Sequence, residues 1–430
     1  MTAVTTPPRR RAKVVVLGQG HVGLPLAVAA AENGYGVVGY DSDPERVRTL
    51  AGGLSPIPDV TSTRLAQLLG TGRYRPTDNA AELADFDIAV ITVPTPLNDE
   101  RLPDLGHVET AAVEVGRRLR PGCLVILEST SFPGTTEEVL APILRKESGL
   151  EPGADFALGF SPERIDPGNV RWTIETTPKV VSGIDAESLA RTRDFYGGFL
   201  DDIVAAGTPK VAELAKVFEN TFRQVNIALV NELAIHADRL GIDVWQALEV
   251  AGTKPFGFMK FLPGPGVGGH CLPIDPVYLY WKVAQETGRP FRMVELADDI
   301  NSEMPGYVVS RLERGLRRRD KALPGARVLA IGLAYKPNVS DARCSPALEV
   351  CRRLVATGAE VHYADALIAD KPELSGLVRS EPTAGDLQAA DAVVILTDHD
   401  YVDYDLVVDH ASYVLDCRRR LPGHPHVELL

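Results

Sequence analysis

Residues 13–41 decide the fold of this 430-residue chain; they read KVVVLGQGHVGLPLAVAAAENGYGVVGYD, from Lys13 to Asp41. The order is a β-branched strand, a GxGxxG turn, a helix and a second strand that ends at an acid. Such glycines let a pyrophosphate approach the helix N-terminus closely, and the acid accepts hydrogen bonds from ribose hydroxyls. Because Asp41 would repel a 2′-phosphate, the pattern favours NAD over NADP. The predicted cofactor contacts here are Gly18, Gly20, Val22, Gly23, Asp41 and Arg46, although Arg46 is equally compatible with a solvated helix position.

Two later strands bring polar residues to one edge of the predicted sheet. Ile88 to Val93 and Cys123 to Leu127 are strand-like, and the turns after them carry Thr95 and Thr130. The carboxyl ends of parallel strands form the ligand-binding edge of an open α/β sheet, so we expect both threonines there. Thr130 could donate to a cofactor or a water, or it could cap the helix that begins near Gly134.

A further strand, Phe156 to Phe160, leads into SPERIDPGN, from Ser161 to Asn169. Glu163 stands between two prolines, and rigid placement suits a general base. An exposed loop acid is an equally simple interpretation of the local pattern. The strand-like stretch Lys179 to Ser182 follows, and the first domain ends near residue 205.

A long helix is predicted from Thr208-Pro209 to about Leu240, because threonine and proline favour the start of a helix. Apolar residues at a spacing of three or four predict one buried stripe. These residues are Val211, Leu214, Phe218, Phe222, Val225, Leu229 and Leu233. Lys216 and Asn220 lie four residues apart and therefore on one face of the helix. Later helical sequence continues to about residue 318, with a predicted break at Met304-Pro305-Gly306.

The stretch GPGVGGHCLPIDP, Gly264 to Pro276, places Cys271 after a glycine-dense loop and Asp275 four residues later. Glycine-rich backbone can approach a ligand closely, and cysteine is a strong nucleophile near neutral pH. A buried structural cysteine in a loop is the alternative.

A second α/β unit follows the helical region. A strand at Arg327 to Gly332 leads into LAYKPNVSDARCSP, in which Ser345-Pro346 is typical of a helix start. The unit lacks GxGxxG, so we expect no dinucleotide bound in the same way. Lys336 and Arg343 of this unit could still bind an anion.

Composition excludes several classes of protein. A net charge of −13 argues against a nucleic-acid partner, and no apolar run has the length of a membrane span. The five cysteines include no CxxC pair and the nine histidines no HxxxH pair, which argues against a disulfide framework and against a metal site. We therefore expect a cytoplasmic protein without a bound metal.

The chain resembles the nucleotide-sugar 6-dehydrogenases, the UDP-glucose and UDP-N-acetylhexosamine dehydrogenases. Five motifs match in order between about Lys13 and Arg418: GxGxxG with Asp41, SPERIDPG, AELAKVFEN, GPGVGGHCLPIDP and AYKPNVSDARCSP. His270, before the cysteine, is similar to the N-acetylhexosamine branch. The resemblance implies an NAD-dependent four-electron oxidation of the primary alcohol of a UDP-sugar to a carboxylate, and a homodimer that forms along the long helix.

The expected fold is α/β, with two Rossmann-like doubly wound domains joined by a central helical domain with a long spine helix. We expect residues 1–12 to be a flexible tail and residues 13–205 an NAD-binding Rossmann domain. Residues 206–318 would form the central, dimer-forming helical domain, and residues 319–430 a nucleotide-sugar-binding Rossmann-like domain.

Site roles are carried over from the family onto matching positions. Cys271 would trap the aldehyde as a thiohemiacetal that is oxidised to a thioester. Lys216 and Asn220 would hold the charge on the substrate oxygen, Asp275 would orient or deprotonate a water or the alcohol, and Glu163 and Thr130 would serve thioester hydrolysis. The implied substrate contacts are Glu163, Lys216, Asn220, Gly264, Gly266, Gly268, Gly269, Tyr335 and Lys336; Arg343 would reach toward the cofactor.

Two other functions remain open from sequence. A two-electron dehydrogenase of the hydroxyacid or 6-phosphogluconate type shares the plan of a Rossmann domain and a helical spine but needs no cysteine. A non-catalytic NAD-binding scaffold is the second. The identity of the sugar, glucose or an N-acetylhexosamine, is not decided by these motifs.

Overall fold

A computed structural model describes residues 12–165, 171–369 and 374–430. Residues 1–11 of the predicted tail and the last residues of SPERIDPGN lie outside this range. The chain forms two compact units, which divide between Glu219 and Asn220. Within the described stretches, no helix combines the length and the apolar character that a membrane crossing needs.

The first unit alternates strands and helices. Its elements are β1 (Lys13–Leu17), α1 (Gly23–Glu32), β2 (Gly36–Tyr40), α2 (Pro44–Ala51), α3 (Ser62–Gly70), β3 (Tyr74–Thr77), a 3₁₀ turn (Ala80–Leu83), β4 (Ile88–Ile91), α4 (Gly106–Gly116), β5 (Leu124–Leu127), a π-helical turn (Thr135–Leu140), α5 (Ala141–Ser148), β6 (Ala157–Phe160), β7 (Lys179–Gly183), α6 (Ala186–Gly197) and β8 (Ile203–Ala205).

These strands form one sheet in the order β3-β2-β1-β4-β5-β6-β7-β8. The first six strands are parallel, whereas β7 runs antiparallel to β6 and β8 runs parallel to β7. The strands β1 and β5 are buried along almost their whole length, as expected for a parallel sheet that is covered on both faces. The order 3-2-1-4-5-6 is that of a doubly wound dinucleotide-binding fold.

The spine helix α7 (Pro209–Leu240) is continuous over 32 residues. The expectation that its apolar stripe is buried is wrong for the single chain. Phe218 is 57% exposed and Leu229 is 61% exposed, and Val211, Leu214, Phe222 and Leu233 are exposed as well. The regular spacing therefore describes an apolar face that the described residues leave exposed.

The second unit contains the rest of α7 and a further set of helices and strands. The elements are α8 (Val244–Ala251), α9 (Asp275–Thr287), α10 (Arg292–Arg317), β9 (Arg327–Ile331), α11 (Pro346–Ala356), β10 (Glu360–Ala364), β11 (Val378–Arg379), α12 (Ala384–Ala389), β12 (Ala392–Ile395), α13 (Tyr404–His410), β13 (Val414–Asp416) and β14 (Val427–Leu429).

The six strands of this unit form a parallel sheet in the order β11-β10-β9-β12-β13-β14. Counted from β9, this is again the order 3-2-1-4-5-6, so the predicted fold class is confirmed. The predicted start of α11 is also correct, since the Ser345 side chain accepts a hydrogen bond from the Ala347 amide. The three domain ranges stay a prediction.

The predicted helix break at Met304-Pro305-Gly306 is wrong, because α10 continues through Pro305. A proline at this position cannot donate to the carbonyl four residues earlier, at Asn301. That carbonyl oxygen faces Gly266, where an added Cβ would lie 3.0 Å from it. The proline therefore leaves a backbone acceptor directed at the glycine loop without ending the helix.

Candidate functional site

The turn after β1 has the shape of a dinucleotide cradle. Gly18 has a φ of +95°, and a Cβ added there would lie 2.8 Å from the Thr92 carbonyl oxygen. A Cβ at Gly23 would lie 1.8 Å from the Gly18 carbonyl oxygen, whereas a Cβ at Gly20 would meet no atom of residues 12–165, 171–369 and 374–430 within 4 Å. Two glycines thus permit close packing and the third leaves open space before the N-terminus of α1, as a pyrophosphate requires.

Asp41 directly follows β2 at the edge of this cradle, and its side chain is 14% exposed. The carboxylate accepts hydrogen bonds from the backbone amides of Gln19 (2.8 Å) and Asp43 (3.0 Å). Arg46 lies 3.6 Å from the same carboxylate and donates to the Gln19 carbonyl. These contacts hold the acid in place, and the cradle residues fit the adenosine half of NAD.

The structure contains a buried hydrogen bond below the cradle that the sequence did not predict. The Tyr74 hydroxyl on β3 donates to the Gln19 side chain (2.8 Å), which itself donates to the Val16 carbonyl. Burial raises the pKa of Tyr74 well above its ordinary value, so it stays a donor. This pair fixes the second residue of the GxGxxG turn from beneath, and only the pairing of β2 with β3 brings the two together.

The predicted threonines lie where expected. Thr95 follows β4 and Thr130 follows β5, at the same sheet edge as the cradle, and both are half-buried. The alternative that Thr130 caps the next helix is wrong, because the π-helical turn starts after Gly134 and no side chain in the described part of the chain caps it.

The start of that π-helical turn is held by the spine helix instead. Glu213 on α7 is fully buried and accepts hydrogen bonds from the amides of Gly134 (2.5 Å) and Thr136 (2.8 Å) and from the Thr136 hydroxyl (2.7 Å). Burial raises the pKa of Glu213, while these three donors oppose the rise. This acid, the second residue of the motif AELAKVFEN, therefore has a structural role.

Glu163 belongs to a buried charge cluster and is not an exposed loop acid. Its side chain accepts hydrogen bonds from the amides of Arg164 (2.7 Å) and Ile165 (2.6 Å) and from the Lys179 ammonium (3.1 Å). Lys179 also donates to Glu128, which directly follows β5. The strand register explains why Glu163 and Lys179 are in contact. Phe160 on β6 pairs with Ser182 on the antiparallel strand β7, and the same register continued by three residues places Glu163 opposite Lys179.

Burial governs the ionisation of this cluster. Complete burial raises the pKa of Glu128 to about 7 against the lowering effect of Lys179, and the Glu163 carboxylate adds to the rise. Burial opposes the charge on Lys179, yet the two neighbouring carboxylates raise its pKa above the ordinary value. Sequence reasoning missed both Glu128 and Lys179, because the antiparallel turn of β7 is not encoded in any local motif.

In the second unit, Cys271 lies at the entrance to α9. Its carbonyl accepts hydrogen bonds from the amides of Ile274 (3.1 Å) and Asp275 (2.8 Å), and the residue is half-buried. Asp275 begins α9 and is buried, and it accepts a hydrogen bond of 2.5 Å from the Asn220 amide group. The structure thus pairs two of the predicted catalytic residues, Asn220 and Asp275. Lys216 is half-buried, one turn earlier on α7.

The glycine loop before Cys271 is anchored at its first residue. The Gly264 amide donates to the Asn231 side chain (2.9 Å), whose amide group donates to Asn301 (2.9 Å). Both asparagines are buried, and neither was singled out from sequence. Arg418 lies against the same glycine, since an added Cβ would be 2.8 Å from its guanidinium.

The last two glycines of this loop pack against Tyr335. A Cβ at Gly268 would lie 2.9 Å from the Tyr335 Cβ, and one at Gly269 would lie 2.9 Å from the Tyr335 ring. Gly269 also has a φ of +87°, which a side chain would strain. The Lys336 ammonium lies 5.8 Å from the centre of the Tyr335 ring. The predicted loop, Tyr335 and Lys336 are therefore brought together directly ahead of Cys271.

Arg343 stands apart from this packing. Its guanidinium is exposed and donates to both oxygens of Asp341, with the shortest distance 2.7 Å. Asp341 is also 3.8 Å from His270. Among the described residues, no group of three or more His, Cys, Asp or Glu side chains could hold a metal ion.

The fold and the cradle of the first unit define the class: a dehydrogenase with a Rossmann NAD-binding domain. Three segments match models of the UDP-glucose/GDP-mannose dehydrogenase family. Residues 12–200 match the NAD binding domain, residues 210–303 the central domain and residues 329–422 the UDP binding domain. The chain belongs to the UDP-glucose/GDP-mannose dehydrogenase family. It is an NAD-dependent oxidoreductase that acts on CH–OH groups, and the predicted cofactor is confirmed.

Relatives and solved structures agree with this family. The chain is 40% identical over 362 residues to a UDP-N-acetyl-D-glucosamine 6-dehydrogenase of Pseudomonas aeruginosa, with 83% of each chain covered. It is similar to the structure of a UDP-D-ManNAc dehydrogenase from Pyrococcus horikoshii, with a TM-score of 0.87, 32% identity and coverage of 97% and 98%. A UDP-glucose dehydrogenase structure from Pyrobaculum islandicum gives a TM-score of 0.86, 30% identity and coverage of 99% and 98%.

The first prediction concerns cofactor choice. Asp41→Ser should weaken NADH binding about tenfold or more and strengthen NADPH binding, because it removes the ribose acceptor and frees Arg46 for a 2′-phosphate. Fluorescence titrations with NADH and NADPH measure both affinities. Asp43→Ser is the matched control: Asp43 caps α2 through the Glu45 amide and should leave the NADH to NADPH ratio unchanged. An Asp41→Ser protein that still prefers NADH as strongly as wild type would contradict the assignment.

The second prediction concerns stability against pH. Glu128 has a folded-state pKa of about 7 and an ordinary value of 4.5, so between these values the folded chain holds a proton that the unfolded chain releases. The contribution of Glu128 to the free energy of unfolding is therefore fully present below pH 4.5 and is lost as the pH rises through 7. This pH-dependent contribution is on the order of 3 kcal/mol.

Urea denaturation of wild type and Glu128→Gln at pH 5, 6, 7 and 8 tests this expectation. The free energy of unfolding of the variant should fall less over this range, because glutamine does not titrate. Glu109→Gln, at an exposed position of α4, should follow wild type. Parallel pH profiles for all three proteins would show that Glu128 is charged throughout.

Proposed function

We propose that the protein catalyses the four-electron oxidation of the primary alcohol of a UDP-N-acetylhexosamine to the corresponding UDP-uronic acid. The observation that carries the proposal is the position of Cys271, which follows a glycine loop packed against Tyr335 and lies four residues before Asp275, the hydrogen-bond partner of Asn220. A two-electron dehydrogenase has no use for a thiol at this point, whereas a two-step oxidation needs a nucleophile to retain the aldehyde.

In this reaction Cys271 forms two successive covalent adducts, a thiohemiacetal and then a thioester. The alcohol first loses a hydride and a proton to give the aldehyde. The thiolate then adds to the aldehyde carbon, and the former carbonyl oxygen takes up a proton, which gives a thiohemiacetal. This adduct loses a second hydride from carbon and the proton from oxygen to become a thioester, and water adds to the thioester carbonyl and breaks the C–S bond to release the acid and the thiol. NAD, when bound, accepts the hydride of each oxidation.

Asn220, Asp275 and Lys216 handle protons and charge at the substrate oxygen. The short hydrogen bond from Asn220 orients the Asp275 carboxylate, which suits Asp275 to hold the alcohol or a water and take its proton. Lys216 would stabilise negative charge on the same oxygen, and one such donor contributes about 3 kcal/mol in comparable enzymes.

Glu163 and Thr130 are proposed to serve the hydrolysis of the thioester. Glu163 accepts hydrogen bonds from two backbone amides and from Lys179, which fix its carboxylate in one orientation. A carboxylate held in this way can orient an attacking water without first losing side-chain freedom. Thr130 would donate from its hydroxyl. Thr95 and Arg343 remain proposed cofactor contacts.

The UDP moiety is proposed to bind in the second unit. Tyr335 offers a hydroxyl and an aromatic face, Lys336 offers a cation for the diphosphate, and the loop Gly264 to Gly269 offers backbone without side chains. Diphosphate recognition by a lysine and closely approaching backbone is common.

The N-acetylhexosamine is favoured over glucose by the relatives, because several are named UDP-N-acetyl-D-glucosamine or UDP-N-acetyl-D-mannosamine dehydrogenases. His270, before the nucleophile, agrees with this branch. Selection between the sugars depends on contacts to the second carbon, where a hydrogen-bonding site discriminates more strongly than an apolar one.

The third prediction tests the thiol and the sugar together. The wild-type protein should release two NADH per molecule of UDP-N-acetylglucosamine or UDP-N-acetylmannosamine and form the acid, with lower kcat/KM for UDP-glucose. Cys271→Ala should form no acid, because the aldehyde has no nucleophile to retain it. NADH absorbance and mass spectrometry of the product measure both quantities.

Cys344→Ala is the matched control, because Cys344 is an exposed thiol in the same unit and should leave turnover intact. One NADH per sugar in the wild-type protein would favour the two-electron alternative. Equal activity of Cys271→Ala and wild type would exclude a covalent role for Cys271.

The exposed stripe of α7 supports a homodimer. Several large apolar side chains on one helix face stay exposed in the single chain, and a self-complementary patch of this kind is usual at two-fold interfaces. We propose that this stripe packs against the same stripe of a second copy.

The fourth prediction follows from the stripe. Leu229→Glu should give a protein with the mass of one chain, whereas wild type should have twice that mass, because two buried carboxylates at the contact would be uncompensated. Light scattering after size exclusion measures the mass. Leu54→Glu is the control, since Leu54 is equally exposed at 61% but lies outside α7. A Leu229→Glu protein of unchanged mass would contradict this interface.

A further inference from the structure

His399 is a fully buried histidine just after β12 in the second unit, outside the predicted catalytic set. Its Nδ1 atom receives a hydrogen bond of 3.0 Å from the backbone amide of Asn338. An amide N–H can only donate, so Nδ1 must be the unprotonated nitrogen. The proton therefore sits on Nε2, which lies 3.1 Å from Asp365 and donates to it.

Asp365 stands directly after β10, where Asp41 stands after β2 in the first unit. One Asp365 oxygen accepts hydrogen bonds from the amides of Leu333 (2.7 Å) and Ala334 (3.1 Å) as well as from His399. Burial alone would raise the pKa of Asp365, but the hydrogen bond from His399 and these amides lower it to about 2. The acid is thus a buried carboxylate with a full set of donors.

These two residues hold both ends of the segment Leu333–Asn338. Asp365 binds the amides at its start, and the Thr397 hydroxyl donates to the Ala334 carbonyl (2.6 Å). His399 binds the amide at its end, where Asn338 has a left-handed φ of +62°. The Asn338 side chain adds two hydrogen bonds with Asp400.

The held segment carries two residues of the proposed nucleotide site. Tyr335 and Lys336 lie between the two fixed ends, and the Tyr335 ring packs against Gly269, two residues before Cys271. A segment released at Asn338 would move Tyr335 and Lys336 and loosen the packing of the glycine loop.

We propose that His399 is a positioning residue for UDP recognition, which acts by accepting the Asn338 amide and so fixing Tyr335 and Lys336. This inference rests on the proposed function, because it needs a UDP group to bind at that segment. His399 touches no substrate in this assignment; it acts through the backbone of Asn338.

Two conservative variants separate the two hydrogen bonds of the ring. His399→Asn keeps an acceptor near the position of Nδ1, for the Asn338 amide, and loses the donor to Asp365. His399→Gln keeps a donor near the position of Nε2, for Asp365, and loses the acceptor. His410→Gln is the matched control, because His410 lies on α13 in the same unit and bonds Gln388.

Titration calorimetry with UDP and steady-state kinetics with the UDP-sugar give the readouts. His399→Gln should raise the Kd for UDP and the KM about tenfold with kcat within about twofold, while His399→Asn stays within about threefold of wild type and His410→Gln is unchanged. Hydrogen exchange of the peptide that spans Leu333–Asn338 should be faster in His399→Gln.

The proposal is overturned if His399→Gln binds UDP as wild type does, or if His399→Asn loses as much affinity as His399→Gln. It is also overturned if NADH affinity falls together with UDP affinity, since this would mark general unfolding. Failure of the wild-type protein to bind UDP would contradict the proposed function instead, and the exchange measurement would still report whether His399 holds the segment.

Discussion

The parallel pairing of the strands is the constraint on which both units depend. In a parallel sheet every strand ends at the same edge, so the residues just after the strands meet there whatever their distance in sequence. In the first unit this edge collects the glycine turn after β1, Asp41 after β2, Thr95 after β4, Thr130 after β5 and Glu163 after β6. In the second unit it collects Leu333, Asp365 and Thr397 in the same way. The chemistry of each unit therefore lies in loops, while the strands supply only their positions.

The two sheets share a strand order and differ in the side chains that surround the ends of their strands. Gly18 and Gly332 each follow the first strand and each pack against the carbonyl of a threonine, Thr92 and Thr397. An acid follows the second strand in both. Asp41 stays partly open beside its glycine turn, where a ribose can reach it, whereas Asp365 is enclosed by His399 and neighbouring amides. The same topology thus gives an open cofactor cradle in one unit and an internally satisfied acid in the other.

Buried charges in this protein are paired or surrounded by donors, because an isolated buried charge is costly. Lys179 lies between Glu128 and Glu163, and Glu213 collects three donors at the start of a π-helical turn. Their hydrogen bonds anchor Glu163 and the start of the turn that follows Thr130. Burial also has a consequence for Glu128, because it raises the pKa of this carboxyl group to about 7.

Local patterns in the sequence determined the fold class and the cofactor turn, and the resemblance of five ordered motifs to a known family supplied most candidate site residues. The reason is that a strand–glycine–helix unit, a glycine loop before a cysteine and an acid after a strand are each written in consecutive residues. Tertiary structure alone decided the rest. The antiparallel turn of β7 brings Lys179 to Glu163, β3 brings Tyr74 to Gln19, and β12 brings His399 to Asn338, across 16, 55 and 61 residues of sequence. It also decided that the regular stripe of α7 is exposed, because spacing along a helix shows which side chains share a face but not what covers that face.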